Sequence, residues 1–199
     1  MKKVLLLLTI PVLFLAASCD KSSTSGISGE QAAIGEVGTT ITCDFGGVSN
    51  MVISVKSLDK GVSTLGGSFT LTDERYRKLV ENHPKYCTVD GNKVEIHDIK
   101  YKATDKGIQI VSGPCKGTLV KYNSKEGDKY ENGGKVTHVS SDNDFNWRGM
   151  NIKVIQVERK NKGDGIKSVT YWANHRFGLV AIETTFDDGS TDYGNIRLN

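Results

Sequence analysis

Tyr86-Cys87-Thr88-Val89-Asp90-Gly91-Asn92-Lys93-Val94-Glu95-Ile96-His97-Asp98-Ile99-Lys100-Tyr101-Lys102-Ala103-Thr104-Asp105-Lys106-Gly107-Ile108-Gln109-Ile110-Val111-Ser112 is the stretch on which the fold turns. It holds three β-prone runs, Tyr86–Val89, Lys93–Thr104 and Ile108–Ser112, parted by Asp90-Gly91-Asn92 and Asp105-Lys106-Gly107. Asp-Gly and Lys-Gly steps supply the positive φ angles that tight hairpins demand, so the stretch reads as hairpin upon hairpin.

The same alternation extends in both directions. Thr39–Phe45, Met51–Leu58 and a run from Val62 come before it; Thr118–Tyr122, Lys135–Ser140, Ile152–Lys160, Lys167–His175, Leu179–Phe186 and Ser190–Leu198 come after. One helix is expected, Thr72–His83. Thr72 serves as its cap, Asp73 and Glu74 complement the dipole, Tyr76, Leu79 and Val80 share a face, and Pro84 ends it. Ile152, Val154, Ile155 and Val157 place apolar groups on both faces of a strand, as a central strand does, while Val180, Ile182, Thr184 and Phe186 keep to one. The fold class is therefore mainly β: an antiparallel meander of about ten strands closing into a sandwich or half-barrel, with one short helix near 72–83.

Ahead of this domain, Met1-Lys2-Lys3 gives a positive start, Val4 to Leu15 an apolar run broken by Thr9 and Pro11, and Ala16-Ala17-Ser18 a small-residue exit. That is the layout of a secretory signal, and the run is short for a bilayer span. Asp20 to Gly38 is rich in Ser, Gly, Thr and Ala and reads as a tether. The expected organisation is a signal peptide over 1–18, a lipidated flexible tether over 19–38 and a single β-rich domain over 39–199. The whole chain carries 26 basic and 23 acidic residues, a net charge of +3. Without Lys2 and Lys3 the balance is 24 against 23, with no block of like charges, which argues against a nucleic-acid partner.

Leu15-Ala16-Ala17-Ser18-Cys19 resembles the lipobox of bacterial lipoproteins. There, a diacylglycerol is attached to the cysteine sulfur and the chain is cut just before it. The family's usual leucine at the third position before the cysteine is Ala16 here. The resemblance implies lipidation at Cys19, acyl chains such as palmitate holding the protein on a membrane of the bacterial cell envelope, and an extracytoplasmic domain. Further along, Thr118-Leu119-Val120-Lys121-Tyr122, Glu126-Gly127-Asp128-Lys129-Tyr130 and Tyr171-Trp172-Ala173-Asn174-His175-Arg176-Phe177-Gly178-Leu179-Val180 resemble turn and strand patterns of uncharacterised extracytoplasmic β-rich lipoproteins. That likeness implies architecture and no activity.

Candidate chemistry is sparse. In an oxidising envelope Cys87 and Cys115, linked through a hairpin-rich segment, are the expected disulfide, with Cys43 a buried thiol. His83, His97, His138 and His175 lack metal-ligand spacing. Asp142-Asn143-Asp144-Phe145-Asn146 places oxygens as a calcium loop does, but Trp147 and Lys153 stand where an EF-hand wants Gly and Glu; the other reading is a surface loop between strands with Phe145 and Trp147 packing back as anchors, and no metal or other cofactor is expected. Neither Gly-x-Ser-x-Gly nor a phosphate-binding Gly loop is present, and no catalytic residue is assigned. The remaining lead is aromatic: Trp147, Arg148, Trp172, His175 and Arg176 combine ring faces with polar groups that suit a carbohydrate, peptide or protein ligand. The other reading of the same residues is a packed core, and exposure in a groove separates the two. The expected function is a membrane-anchored lipoprotein with a non-catalytic binding or structural β-domain. The alternatives are a secreted hydrolase with a dispersed site, or a carrier with an apolar cavity inside the curl.

Overall fold

The computed structural model describes residues 26–163 and 165–199; the expected signal segment and Cys19 lie outside them. Among the described residues there are fourteen strands. The first seven are β1 (Thr40–Cys43), β2 (Val48–Asp59), β3 (Val62–Leu71), β4 (Cys87–Asp90), β5 (Lys93–Thr104), β6 (Gly107–Ser112) and β7 (Gly117–Lys121). Then come β8 (Gly134–Val139), β9 (Phe145–Trp147), β10 (Met150–Ile152), β11 (Ile155–Gly163), β12 (Ile166–Asn174), β13 (Gly178–Phe186) and β14 (Thr191–Leu198). Twelve form one antiparallel sheet in the order β7-β6-β5-β3-β2-β1-β14-β13-β12-β11-β8, with β4 beside β5; β9 and β10 pair separately.

Two meanders are thus joined where the first strand pairs with the last, Ile41 opposite Leu198 and Cys43 opposite Ile196. The sheet curls until its edge strand β7 comes near β11, which lies beside the other edge strand β8, and the segment between β7 and β8 closes the seam with side chains. The Tyr130 hydroxyl accepts from the Lys121 amide at 3.1 Å, and Glu131 Oε1 accepts from the Thr118 amide and hydroxyl at 2.9 and 2.8 Å. Asn132 Nδ2 donates to the Thr118 carbonyl at 2.8 Å. An edge that would otherwise offer bare backbone groups to another chain is occupied. The result is a nearly closed half-barrel. Val55, Tyr101, Val120, Val136, Val157 and Tyr171, from six different strands, meet in one core, as a sheet wrapped on itself requires.

The helix closes one end. A 3-10 turn at Glu74–Tyr76 leads into α1 (Arg77–Glu81), and Tyr76 and Val80 bury against Phe69, Val94, Ile166 and Phe186, with Leu79 packed alongside. The cap is Asp73, whose carboxylate accepts from the Arg75 amide at 2.9 Å; Thr72, expected in that role, instead donates to the Gly46 carbonyl.

Three expectations are corrected. Val180 leaves the face of Ile182, Thr184 and Phe186: Trp172 pairs with Ala181 but Ala173 with Leu179, and this bulge turns Val180 outward into a second core. The stretch around Phe145 and Trp147, expected as a surface loop, is the β9–β10 hairpin, whose tip places Arg148 and Gly149 at φ 52° and 79°. Residues 27–38, expected within the flexible tether, are docked on the barrel. The Ala32 amide donates to the Ala103 carbonyl at 3.0 Å, Thr104 Oγ1 to the Ser28 carbonyl at 2.9 Å, and Ser63 Oγ to the Gly35 carbonyl at 2.6 Å. Their small polar composition hid a row of backbone partners. Among the described residues no helix is long and apolar enough to cross a membrane.

Candidate functional site

The end of the barrel opposite α1 gathers the C-terminal ends of β5, β7 and β12 and the starts of β6 and β13. Residues 27–38 cross it as a strap, with a 3-10 turn at Ala33–Gly35. The Tyr101 hydroxyl, inside the curl, donates to the Ile34 carbonyl. Ile34 seats against Gly178, whose φ of 71° favours glycine and where an added Cβ would push on Ile34 Cδ1, 2.5 Å away.

Beneath the strap lies a recess of about 100 Å³. Its walls are Ile34, Leu65, Ile110, Leu119 and Leu179 together with Tyr101, and β1 and β14 add Ile41, Ile196 and Leu198. The hydroxyl of Tyr101 is already engaged, so the lining offers aliphatic surface and little else. A second recess of about 170 Å³ opens at the same end, where β8, β11 and β12 finish or begin. Val139, Val154, Ile155 and Ala173 wall it, with Tyr122, Ser140, Lys153, Asn174 and His175 at its polar side. Ala173 and Leu179 are paired across β12 and β13, so the two recesses are neighbours. No carboxylate lines either.

The residues singled out in the sequence divide between two places. Trp147 is buried, its Nε1 donating to the Ile196 carbonyl at 3.2 Å and its ring 4.9 Å from Phe177. Trp172 is half-buried between Phe145, stacked at 6.0 Å, and Tyr193, edge-on at 5.8 Å. Arg148 lies over the Trp147 ring and Arg176 over Phe177, both from outside. With Ile152, Val154 and Val180 these rings form a core on the outer face of β12 and β13, roofed by the β9–β10 hairpin. Of the two readings of these residues, Trp147 follows the packed core. His175 alone reaches a recess. Tyr122 and Lys153, which line it too, carried a local signal, each being a polar-headed side chain directly beside apolar inward residues.

The cysteines are a further correction. Cys87 and Cys115 are separate free thiols. Cys87 packs with Val89 and Ile96 toward the helix, whereas Cys115 meets the Tyr171 hydroxyl on β12, with Arg159 beside it. Burial, and then the neighbouring Cys115, push the Tyr171 phenol upward. Cys43 behaves as the buried thiol expected, and burial followed by the charge of Asp44 raises its pKa to about 12. At pH 8 Cys43 should therefore resist iodoacetamide in the native protein and react once urea unfolds it, read by peptide mass spectrometry; native labelling would overturn its placement.

On the surface, His138 faces Glu126 at 3.3 Å and Asp144 at 3.4 Å, and Asp144 accepts from Ser140 Oγ at 2.5 Å. The hydrogen bond from Ser140, and secondarily that from His138, hold the Asp144 carboxyl below its usual range. These engagements take up both carboxylate oxygens of Asp144, one of the ligands that the calcium-loop reading needed. Among the described residues no three His, Cys, Asp or Glu side chains converge as a metal site.

No family model, no curated protein and no solved structure matches this chain.

Proposed function

We propose that the chain is a lipid-anchored protein of the bacterial cell envelope whose half-barrel works by binding, without catalysis, and holds an apolar group in the recess beneath the strap. The observation that carries this reading is the recess itself, an aliphatic space left open beneath the strap beside the inner core. Empty apolar space forfeits contacts on every wall, so it persists at a cost unless something occupies it. A cavity of 150 Å³ lined by similar residues accepts benzene, which scales this one to a short or branched alkyl group.

The anchor and the recess belong together. Gly26 follows Cys19 by seven positions, at most about 25 Å of chain. A diacylglycerol on Cys19 would therefore keep the strapped end of the barrel close to the headgroups, where apolar ligands are found. The hydrolase alternative has less in its favour: no carboxylate lines a recess, and the thiol of Cys115 meets a tyrosine instead of a histidine.

Two measurements test the reading. Methyl NMR of the protein titrated with cyclopentane should show saturable shifts confined to Ile34, Ile110, Leu119 and Leu179. Leu179→Phe, which fills the recess, should abolish them. Shifts spread over the whole chain, or none, would defeat the apolar site. For the anchor, Cys19→Ala should move the protein from the detergent phase to the aqueous phase on phase separation; continued partitioning with detergent would defeat lipidation.

A further inference from the structure

The second recess has a different chemistry, and its polar side carries no carboxylate. Ser140 Oγ is consumed, donating to Asp144 and accepting from the Val154 amide at 3.0 Å. Asn174 is consumed as well. Its Nδ2 donates to the Lys153 carbonyl at 2.7 Å, and its Oδ1 accepts from the Arg176 and Phe177 amides at 2.8 and 3.2 Å. Those bonds fix the rim and leave no carboxylate or free amide oxygen among the lining residues.

Three groups remain. Tyr122 has no hydrogen-bond partner for its hydroxyl among the described residues, and its side chain lines the recess. Burial pushes its phenol upward, which keeps the proton in place as a donor. Lys153 Nζ donates to the Ser141 carbonyl but has no carboxylate within ion-pair reach among the described residues. His175 stands exposed at the rim. A cationic head, a phenol donor and an imidazole, with no acidic lining residue, select an anion.

The walls decide which anion. Val139, Val154, Ile155 and Ala173 suit an apolar tail, and they would leave most oxygens of a phosphate or sulfate unsatisfied. The lack of a carboxylate in the lining, with Lys153 at the rim, disfavours an ammonium, and with it an amino acid. At about 170 Å³ the space equals roughly six waters of ~30 Å³ each, close to the six heavy atoms of a four-carbon acid.

We infer that the recess formed by β8, β11 and β12 with Tyr122 is a binding site for a short-chain monocarboxylate, its carboxylate held by Lys153 and the Tyr122 hydroxyl and its alkyl tail against Val154, Ile155 and Ala173. The site stands on its own residues and does not depend on occupancy of the recess under the strap.

The test is a titration of the full chain with butanoate, butan-1-ol, butylammonium and inorganic phosphate, followed by methyl shifts of Val154, Ile155 and Ala173. Butanoate should bind saturably and the other three at least about tenfold more weakly, as befits a charge-assisted hydrogen bond. Lys153→Met, a surface-rim change, should weaken butanoate by about tenfold or more and leave butan-1-ol unchanged; Tyr122→Phe should weaken butanoate less. Equal affinity for butanoate and butan-1-ol, or an unchanged affinity in Lys153→Met, would overturn the assignment. So would shifts that appear at Leu119 and Leu179 instead, an outcome that would leave the apolar recess standing.

Discussion

Trp147→Ala lowers the unfolding free energy by about 3–5 kcal/mol, the range for truncating a large buried ring. The indole is only 4% exposed and fills the space between the β9–β10 hairpin and the outer face of β12 and β13, against Ile152, Val154, Val180 and Phe177. Its Nε1 is the partner of the Ile196 carbonyl, so truncation also leaves a carbonyl of β14 without its donor. Trp147→Phe keeps most of the packing and loses the bond, and should cost less than half as much. The measurement is urea unfolding with the slope compared between variants, since an altered slope would mean that the hairpin had already detached in the native state. A ligand platform makes the opposite forecast: a stable protein that no longer binds. A loss below about 1 kcal/mol for Trp147→Ala would return the aromatic cluster to that role.

The contrast shows where a sequence is legible. Hairpin turns such as Asp90-Gly91-Asn92 act locally: the residues that bend the chain are adjacent in it, and both the β class and the run of antiparallel pairings follow from them. The helix was legible for the same reason, because Tyr76, Leu79 and Val80 mark its buried face within five positions. Closure was not. It depends on Ile41 meeting Leu198 and Thr118 meeting Glu131, contacts that no local pattern announces. The strap was misread because Ala32, Ile34 and Gly35 dock through backbone carbonyls and amides, and composition is blind to those. The aromatic residues were grouped correctly in space, yet their role hinged on burial. Burial was decided by a one-residue bulge at Val180 and a hairpin read as a loop. The recesses could be found only from coordinates, since Tyr122, Lys153 and His175 come from three separate segments.

Asp192→Ala is expected to cost about 2–4 kcal/mol, because one carboxylate holds three parts of the chain together. Oδ1 accepts from the Gly46 amide, and Oδ2 from the Gly47 amide and the Tyr76 hydroxyl, each at 2.8 Å. β14 is thereby tied to the turn between β1 and β2 and to the phenol at the start of the helix, the place where first and last strands meet. Burial is the main influence that pushes the Tyr76 phenol upward, so the hydroxyl keeps its proton and donates to Asp192. Asp192→Asn should not rescue this arrangement. An amide presents an NH₂ where an oxygen is needed, and at least one of the three donors then faces another donor. Tyr76→Phe removes a single bond and should cost about 1–2 kcal/mol on its own. A double-mutant cycle between Asp192→Ala and Tyr76→Phe isolates their interaction, expected at about 1–2 kcal/mol in urea unfolding. Strictly additive losses would mean that the carboxylate serves the two glycine amides alone, and that the helix end of the barrel is held by the packing of Tyr76 against Phe186, 5.5 Å away, without help from β14.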